Sequence, residues 1–312
     1  IFQQSNQQLK LVDSKATKET KALYSNLWAI QEKGVMFGHH DYPSYGIGWK
    51  GDKNRSDVKD ITGSHPAVYS LDMHHINETK INQIISTHKR GGVSILVWHQ
   101  SNPLTESDEA SYPIGTAWDN TKVVDQILQE GSAMNIKYKK RLDQVAAVFH
   151  SLKEEFIQFW RFIVDYLKNE KNVHNVIYAI SPQMDQVYKN TQERLLYRWP
   201  GNNYVDFVGM DCYHGRDTKA FISNVKALSA LSVNLHKPVG VTETGLENSH
   251  TEKYWTNDVL PALKGNLCSM VIAWRNEKPS HAFGPYPSDI SAEDFKLFFE
   301  DPYTIFEKDL PN

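Results

Sequence analysis

Short β-branched runs alternate with amphipathic stretches along most of this chain. Continuous apolar or period-two runs predict strands at 35–38, 67–71, 93–98, 176–180, 207–212, 239–242 and 270–274. Apolar residues at helical spacing predict helices at 17–31, 78–89, 139–152, 155–167, 220–234 and 251–263. In the helix beginning at Lys139, for example, Leu142, Val145, Ala146 and Phe149 fall on one face. Pro66 and Pro238 each precede a strand, where a missing N–H costs little. No repeat, low-complexity tract or Pro/Gly-rich linker interrupts the pattern, so residues 1–312 read as a single domain.

Sustained strand–helix alternation means a parallel sheet, either doubly wound or closed into a barrel. Polar and aromatic side chains gather just after the strand ends: His39, Asp72, His99, Tyr213, Glu243 and Trp274. A barrel brings such ends together on one face. A doubly wound nucleotide binder needs a glycine-rich turn after an early strand, and Gly38-His39-His40 is not one. The α/β fold class expected is therefore the (β/α)₈ TIM barrel.

The count of strands is one short. Between Arg141 and Leu167 the apolar positions stay in helical phase for longer than an uncapped globular helix usually runs. A barrel without its fourth strand leaves two sheet edges with unpaired backbone groups. The expectation is that the fourth strand and the loop after it are absent from this sequence, with the seam near Lys153–Glu154.

Composition narrows the function without naming it. The apolar fraction of 40% and the charged fraction of 23% are those of an ordinary globular protein, and 312 residues suit a barrel domain. A formal charge of −3 argues against nucleic acid as a partner, and no apolar run approaches the ~20 residues of a membrane span. Cys212 and Cys268 each sit in an apolar run and read as two buried thiols. The adjacent pairs His39-His40 and His74-His75 lack the helical spacing of zinc sites, so neither a metal nor another cofactor is expected. Aromatic content of 12%, much of it in loops beside Gly, Pro and Asn, suits stacking on sugar rings.

The sharpest local signal is Lys237-Pro-Val-Gly-Val-Thr-Glu243-Thr-Gly245, which places a carboxylate directly after a buried strand. Its competing reading is an ion-paired core glutamate. Tyr204 to Tyr213 forms a strand ending in a phenol able to reach a neighbouring carboxylate. The run Val93 to Asn102 ends in Trp98-His99, and Met270-Val-Ile-Ala-Trp274-Arg275-Asn276 puts an indole at the last strand's mouth. Taken singly, each also fits plain packing.

Together these segments resemble glycoside hydrolase family 26, best known for endo-β-1,4-mannanases. The likeness is carried by Phe37-Gly-His-His-Asp41, Trp98-His99 with Asn102-Pro103, and Ala117-Trp118-Asp119. It continues through Pro200-Gly201, Val205 to Asp211, Thr242-Glu243-Thr244-Gly245 and Ala273-Trp274-Arg275-Asn276. The resemblance implies a retaining barrel enzyme with Glu243 as nucleophile, oriented by Tyr213. It implies sugar contacts from His99, Trp274 and Arg275, with a further one from Trp118. Tyr45 and Trp49, in a Gly-rich loop, are candidates for a more distant subsite. The family's acid/base glutamate belongs to a His-Glu pair after the fourth strand, and this sequence has no His-Glu pair anywhere. Glu154 and Glu155, at the seam, instead look like the first turn of a helix.

The expected activity is endo-acting cleavage of β-1,4-mannosidic bonds in β-mannan or manno-oligosaccharides by a monomer. The chain starts at Ile1 rather than Met, and polysaccharides are too large to enter cells, so export to the periplasm, cell surface or medium is expected. Rival readings are a β-glucanase or β-1,3-xylanase of the same family, and a catalytically impaired mannan-binding barrel. A lyase or aldolase barrel would need a Schiff-base Lys or a metal cluster at the strand ends, and the sequence offers neither.

Overall fold

The computed structural model describes residues 10–52, 54–73, 76–97, 131–133, 136, 153–213, 218–247 and 251–310. Helix α1 (Lys18–Gln31) starts where the Thr17 side chain accepts from the Thr20 N–H, satisfying one orphan donor of the first turn. Strand β1 (Val35–His40) follows. Next come a hairpin, β2 (Tyr45–Gly46) with β3 (Trp49–Lys50), and the short α2 (Asp57–Thr62), capped by Ser56 and ended by Gly63 at φ 79°.

Strand β4 (Val68–Asp72), α3 (Glu78–Lys89) and β5 (Val93–Val97) complete the first half. The second half starts with α4 (Lys153–Asp165) and runs through β6 (Ala179–Ile180), α5 (Thr191–Leu195), β7 (Phe207–Cys212), α6 (Thr218–Leu235) and β8 (Val239–Thr244). Then follow α7 (Leu260–Leu263), β9 (Met270–Ala273), the hairpin β10 (Asn276–Lys278) and β11 (His281–Ala282), α8 (Ala292–Glu300) and β12 (Thr304–Ile305). Glu154 and Glu155 fall in the first turn of α4, as their acidity suggested. The helix expected at 139–152 lies outside the described residues.

Seven strands form one curled parallel path in the order β5-β4-β1-β9-β8-β7-β6, and β12 adds to the start of β1. The path joins the first half of the chain to the last through β1 and β9, as a barrel requires. Its two ends are β5 and β6. Among the described residues no strand joins them, and this open side is where the sequence count falls short. Burial separates the ends from the middle: β1, β4, β7, β8 and β9 are almost wholly buried, whereas β5 and β6 contain no fully buried residue. Parallel strands are normally covered on both faces and on both edges.

The five middle strands carry the core. Val35 and Phe37 pack into one cluster and Met36 into another, the alternation of a strand buried on both faces. On the outer face the Phe37 ring meets Trp255, Phe295, Phe298 and Phe306 at centroid distances of 5.0 to 5.8 Å. Such aromatic pairs add roughly 0.5–1.5 kcal/mol each beyond the area they bury. Cys212 and Cys268 are buried and unbridged, and desolvation pushes both thiols up to about 12. No helix of the described residues is long and apolar enough to cross a membrane.

Candidate active site

All seven strands run parallel, so His40, Asp72, Cys212, Thr244 and Ala273 end on the same face. Between β7 and β8 the register shifts by one residue at Thr242, so that Asp211 pairs with Glu243. Bulges of this kind re-aim a side chain and recur beside functional sites. Below the bulge the Asp211 carboxylate accepts hydrogen bonds from the Ser181 hydroxyl at 2.7 Å and the Thr242 hydroxyl at 2.9 Å. That network fixes the strand end from which Glu243 projects.

Glu243 is buried, and its Oε2 accepts a 2.8 Å hydrogen bond from the Tyr213 hydroxyl. The Tyr213 backbone N–H donates to Asp185 Oδ1 at 3.0 Å, which anchors the residue just past β7. Burial, and then the neighbouring Glu243 charge, hold the phenol protonated far above its ordinary range. Tyr213 is therefore a permanent donor to that carboxylate. Burial and a fixed phenol donor thus hold this carboxylate in one orientation at the end of β8.

Trp274 follows β9, with its N–H bonded to Thr244 O at 2.8 Å. One indole face stacks on the His40 imidazole at 4.0 Å and 27°. His40 is itself held by Ser70 Oγ at 2.9 Å. Arg275 is half-buried and lies 3.9 Å from Glu277; among the described residues its buried Nε–H has no acceptor. Tyr45 donates to Asp41 Oδ2 at 3.2 Å, and Lys80 Nζ lies 3.1 Å from Asp41 Oδ1. Burial, then the Asp41 charge, raises the Tyr45 phenol. The structure thus brings Glu243, Tyr213, Trp274, Arg275 and Tyr45 to one face. His99 and Trp118 lie outside the described residues.

Trp49 corrects the reading of the loop after β1. Its indole is buried, its Nε1–H donates to Asp57 Oδ1 at 2.7 Å, and Arg55 lies over the ring at 5.3 Å. It braces the loop rather than offering a face to a sugar. Composition marked the loop as aromatic but did not say which way the ring turns. Sequence reasoning also missed Asp57, Asp185, Asp211 and Phe283. Their partners lie on other strands or loops, so no local spacing signals them. Among the described residues no group of three or more His, Cys, Asp or Glu is arranged to hold a metal ion.

His39, next to this face, is buried with neither ring nitrogen hydrogen-bonded among the described residues. Desolvation outweighs the Asp57 and Asp41 charges and lowers its pKa to about 4, while burial and the Arg90 and Lys59 charges lower His65 to about 3. The unfolded chain takes up these protons near pH 6.5 and the folded chain does not. Stability is therefore complete above about pH 6.5 and falls on acidification toward pH 4, by on the order of 1 kcal/mol per pH unit per site. Asp206, raised to about 6 by burial, and Glu307, also raised by burial, work in the opposite direction, so the net drop is smaller than the two histidines alone would give. A thermal midpoint that drops between pH 6.5 and 4.5 is expected, with a shallower drop in His39→Gln. A midpoint independent of pH over that window counts against this account.

The profile of the family described as glycosyl hydrolase family 26 matches the chain over residues 12–158 and 151–250. The chain belongs to glycosyl hydrolase family 26. A family 26 β-mannanase from Bacteroides ovatus is 32% identical, covers 94% of this chain and 96% of its own, and superposes with a TM-score of 0.81. A family 26 protein, GH26C, from a Muricauda species is 26% identical over 96% of this chain and 94% of its own, with a TM-score of 0.82. Among curated relatives, a mannan endo-1,4-β-mannosidase from Bifidobacterium adolescentis is 25% identical over 76% of this chain. Another, mannan endo-1,4-β-mannosidase A and B from Caldalkalibacillus mannanilyticus, is 23% identical over 87%. The family 26 chain spans 28% and 59% of the lengths of these two relatives. The two profile matches meet at 151–158, the interval that contains the expected seam.

Proposed function

We propose that this chain is a retaining glycoside hydrolase of β-1,4-mannan that uses Glu243 as its nucleophile. The observation that carries the reading is the 2.8 Å bond from Tyr213 to a buried Glu243 at the mouth of a parallel barrel. In double displacement this carboxylate attacks the anomeric carbon and forms a glycosyl-enzyme, while a second carboxyl protonates the leaving oxygen and then activates water. The second group must lie ~5–5.5 Å from the first. Trp274, stacked on His40 and with the Arg275 guanidinium 5.7 Å from its ring centre, supports the reading as the aromatic group beside the carboxylate that a pyranose ring would meet. The mannan-cleaving names of the relatives support the substrate class. The size of such polymers supports an exported enzyme, and a monomer is the simplest state for a barrel that binds one chain across its mouth.

The test is reducing-sugar release from locust-bean gum, mixed-linkage β-glucan and β-1,3-xylan in parallel. Whatever release the chain gives, fast or slow, is expected to be greatest from the galactomannan; preference for glucan or xylan sinks the mannan assignment while leaving the family intact. A second reading, a mannan-binding barrel with impaired cleavage, is favoured by the lack, among the described residues, of a strand between β5 and β6. It predicts retention of manno-oligosaccharide in affinity electrophoresis without turnover.

A further inference from the structure

The hairpin β10–β11 and the residues after it serve no purpose in the mechanism above, yet they are tied down closely. Asn276 is buried, and its side-chain amide is fully used. Its Oδ1 accepts from the Phe283 N–H at 3.1 Å and the Gly284 N–H at 2.9 Å. Its Nδ2 donates to Pro285 O at 3.2 Å and to Asp57 Oδ2 at 3.0 Å. An amide offers two donors and two acceptor lone pairs, and all four are engaged. Asp57, also buried, in turn holds the Trp49 indole and the Ile47 N–H. The end of the hairpin is therefore fixed to the loop after β1 across more than two hundred residues of sequence.

What this clamp positions is Phe283. Its ring meets the Tyr213 ring edge-on, at 5.5 Å and 71°. Its backbone presses on Gly245, two residues after Glu243. A Cβ on Gly245 would come within 2.7 Å of Phe283 Cβ and 2.9 Å of Phe283 O, and the φ of 139° is one that L side chains rarely adopt. This gives a packing reason for glycine in Thr242-Glu243-Thr244-Gly245. A phenol delivers its hydrogen bond only as well as its ring is held, and an aromatic edge contact fixes the ring plane.

We propose that Phe283, held by Asn276, is a positioning residue that sets the Tyr213 ring so that its hydroxyl points at Glu243. The proposal rests on the reading of Glu243 as nucleophile. It is tested on a 2,4-dinitrophenyl β-mannoside, whose leaving group departs without protonation. The glycosylating step is read as dinitrophenolate release in a single turnover. Phe283→Ala is expected to slow this step by about tenfold, the size of a contact coupling, and to move the acid limb of its pH profile upward. The substrate concentration at half-saturation stays within about twofold, because Phe283 acts on the phenol rather than on the sugar.

In a Tyr213→Phe background, where no hydroxyl remains to aim, the same change should have almost no effect. Phe283→Tyr restores the rate in the parent. Phe283→Leu, which keeps most of the bulk, supplies the same comparison if the alanine variant does not fold. Equal losses in both backgrounds, or an unmoved acid limb, overturn the proposal. Glu243→Gln is run alongside: turnover surviving that change defeats the nucleophile assignment itself, a different outcome from additivity of Phe283 and Tyr213.

Discussion

Glu243→Gln is expected to reduce turnover of β-mannan or an aryl β-mannoside by on the order of 10⁴-fold or more, the scale of losing a covalent nucleophile. The substitution keeps the volume and one acceptor oxygen, so Tyr213 retains a partner and the fold has no reason to fail. On the proposed mechanism, what is lost is the charge that attacks the anomeric carbon. An unchanged thermal midpoint with abolished turnover is the expected pair of results. Retention of more than about a tenth of the activity shows that another group does this work.

The second large effect concerns the open side of the sheet. In the proposed mechanism Glu243 is one of two carboxyls, and the resemblance puts the second after a fourth strand, whose place is between β5 and β6, where the described residues have no strand. If the 312-residue chain lacks that strand, the first step survives on substrates that need no acid, and the second step lacks its base. A 2,4-dinitrophenyl β-mannoside should then give a burst of one dinitrophenolate per active site, followed by slow release. Azide, which attacks without a base, should accelerate the slow phase by on the order of 10²-fold or more, within the usual contribution of general base catalysis. The product should be the β-mannosyl azide, with configuration retained through two inversions. Rapid hydrolysis of locust-bean gum by a chain of 35.8 kDa, unaffected by azide, would falsify the idea by showing that the second carboxyl is already present.

Much of the frame was legible because it is local. Strand β7 and helix α3 fall where apolar spacing predicted them, Phe207–Cys212 and Glu78–Lys89. Expected strands shortened where pairing is one-sided: 176–180 became Ala179–Ile180 at the end of the sheet. Helices α2 and α8 were missed. The first is only six residues long and rests on its Ser56 and Gly63 caps. The second buries Phe295 and Phe298 against Phe37, more than 250 residues earlier.

The site divides in the same way. Glu243, Tyr213 and Trp274 stand out because a polar or aromatic residue directly after a buried strand is conspicuous in one dimension. Asp57 and Phe283 were hidden, since what each does depends on a partner from a distant element. Trp49 was misjudged for a related reason: its orientation is set by Asp57, which spacing does not reveal.

The placement of β1 has a consequence for how the chain assembles. Its residues pair with β9 and β12, so Val35 waits for Thr304 and Met36 for Met270. Closing loops of that length is slow and leaves an apolar strand exposed while synthesis continues. β1, the first of the described strands, gains β4 early on one edge but is among the last to be completed, and interruption of translation before β9 should yield fragments that aggregate rather than stable partial barrels.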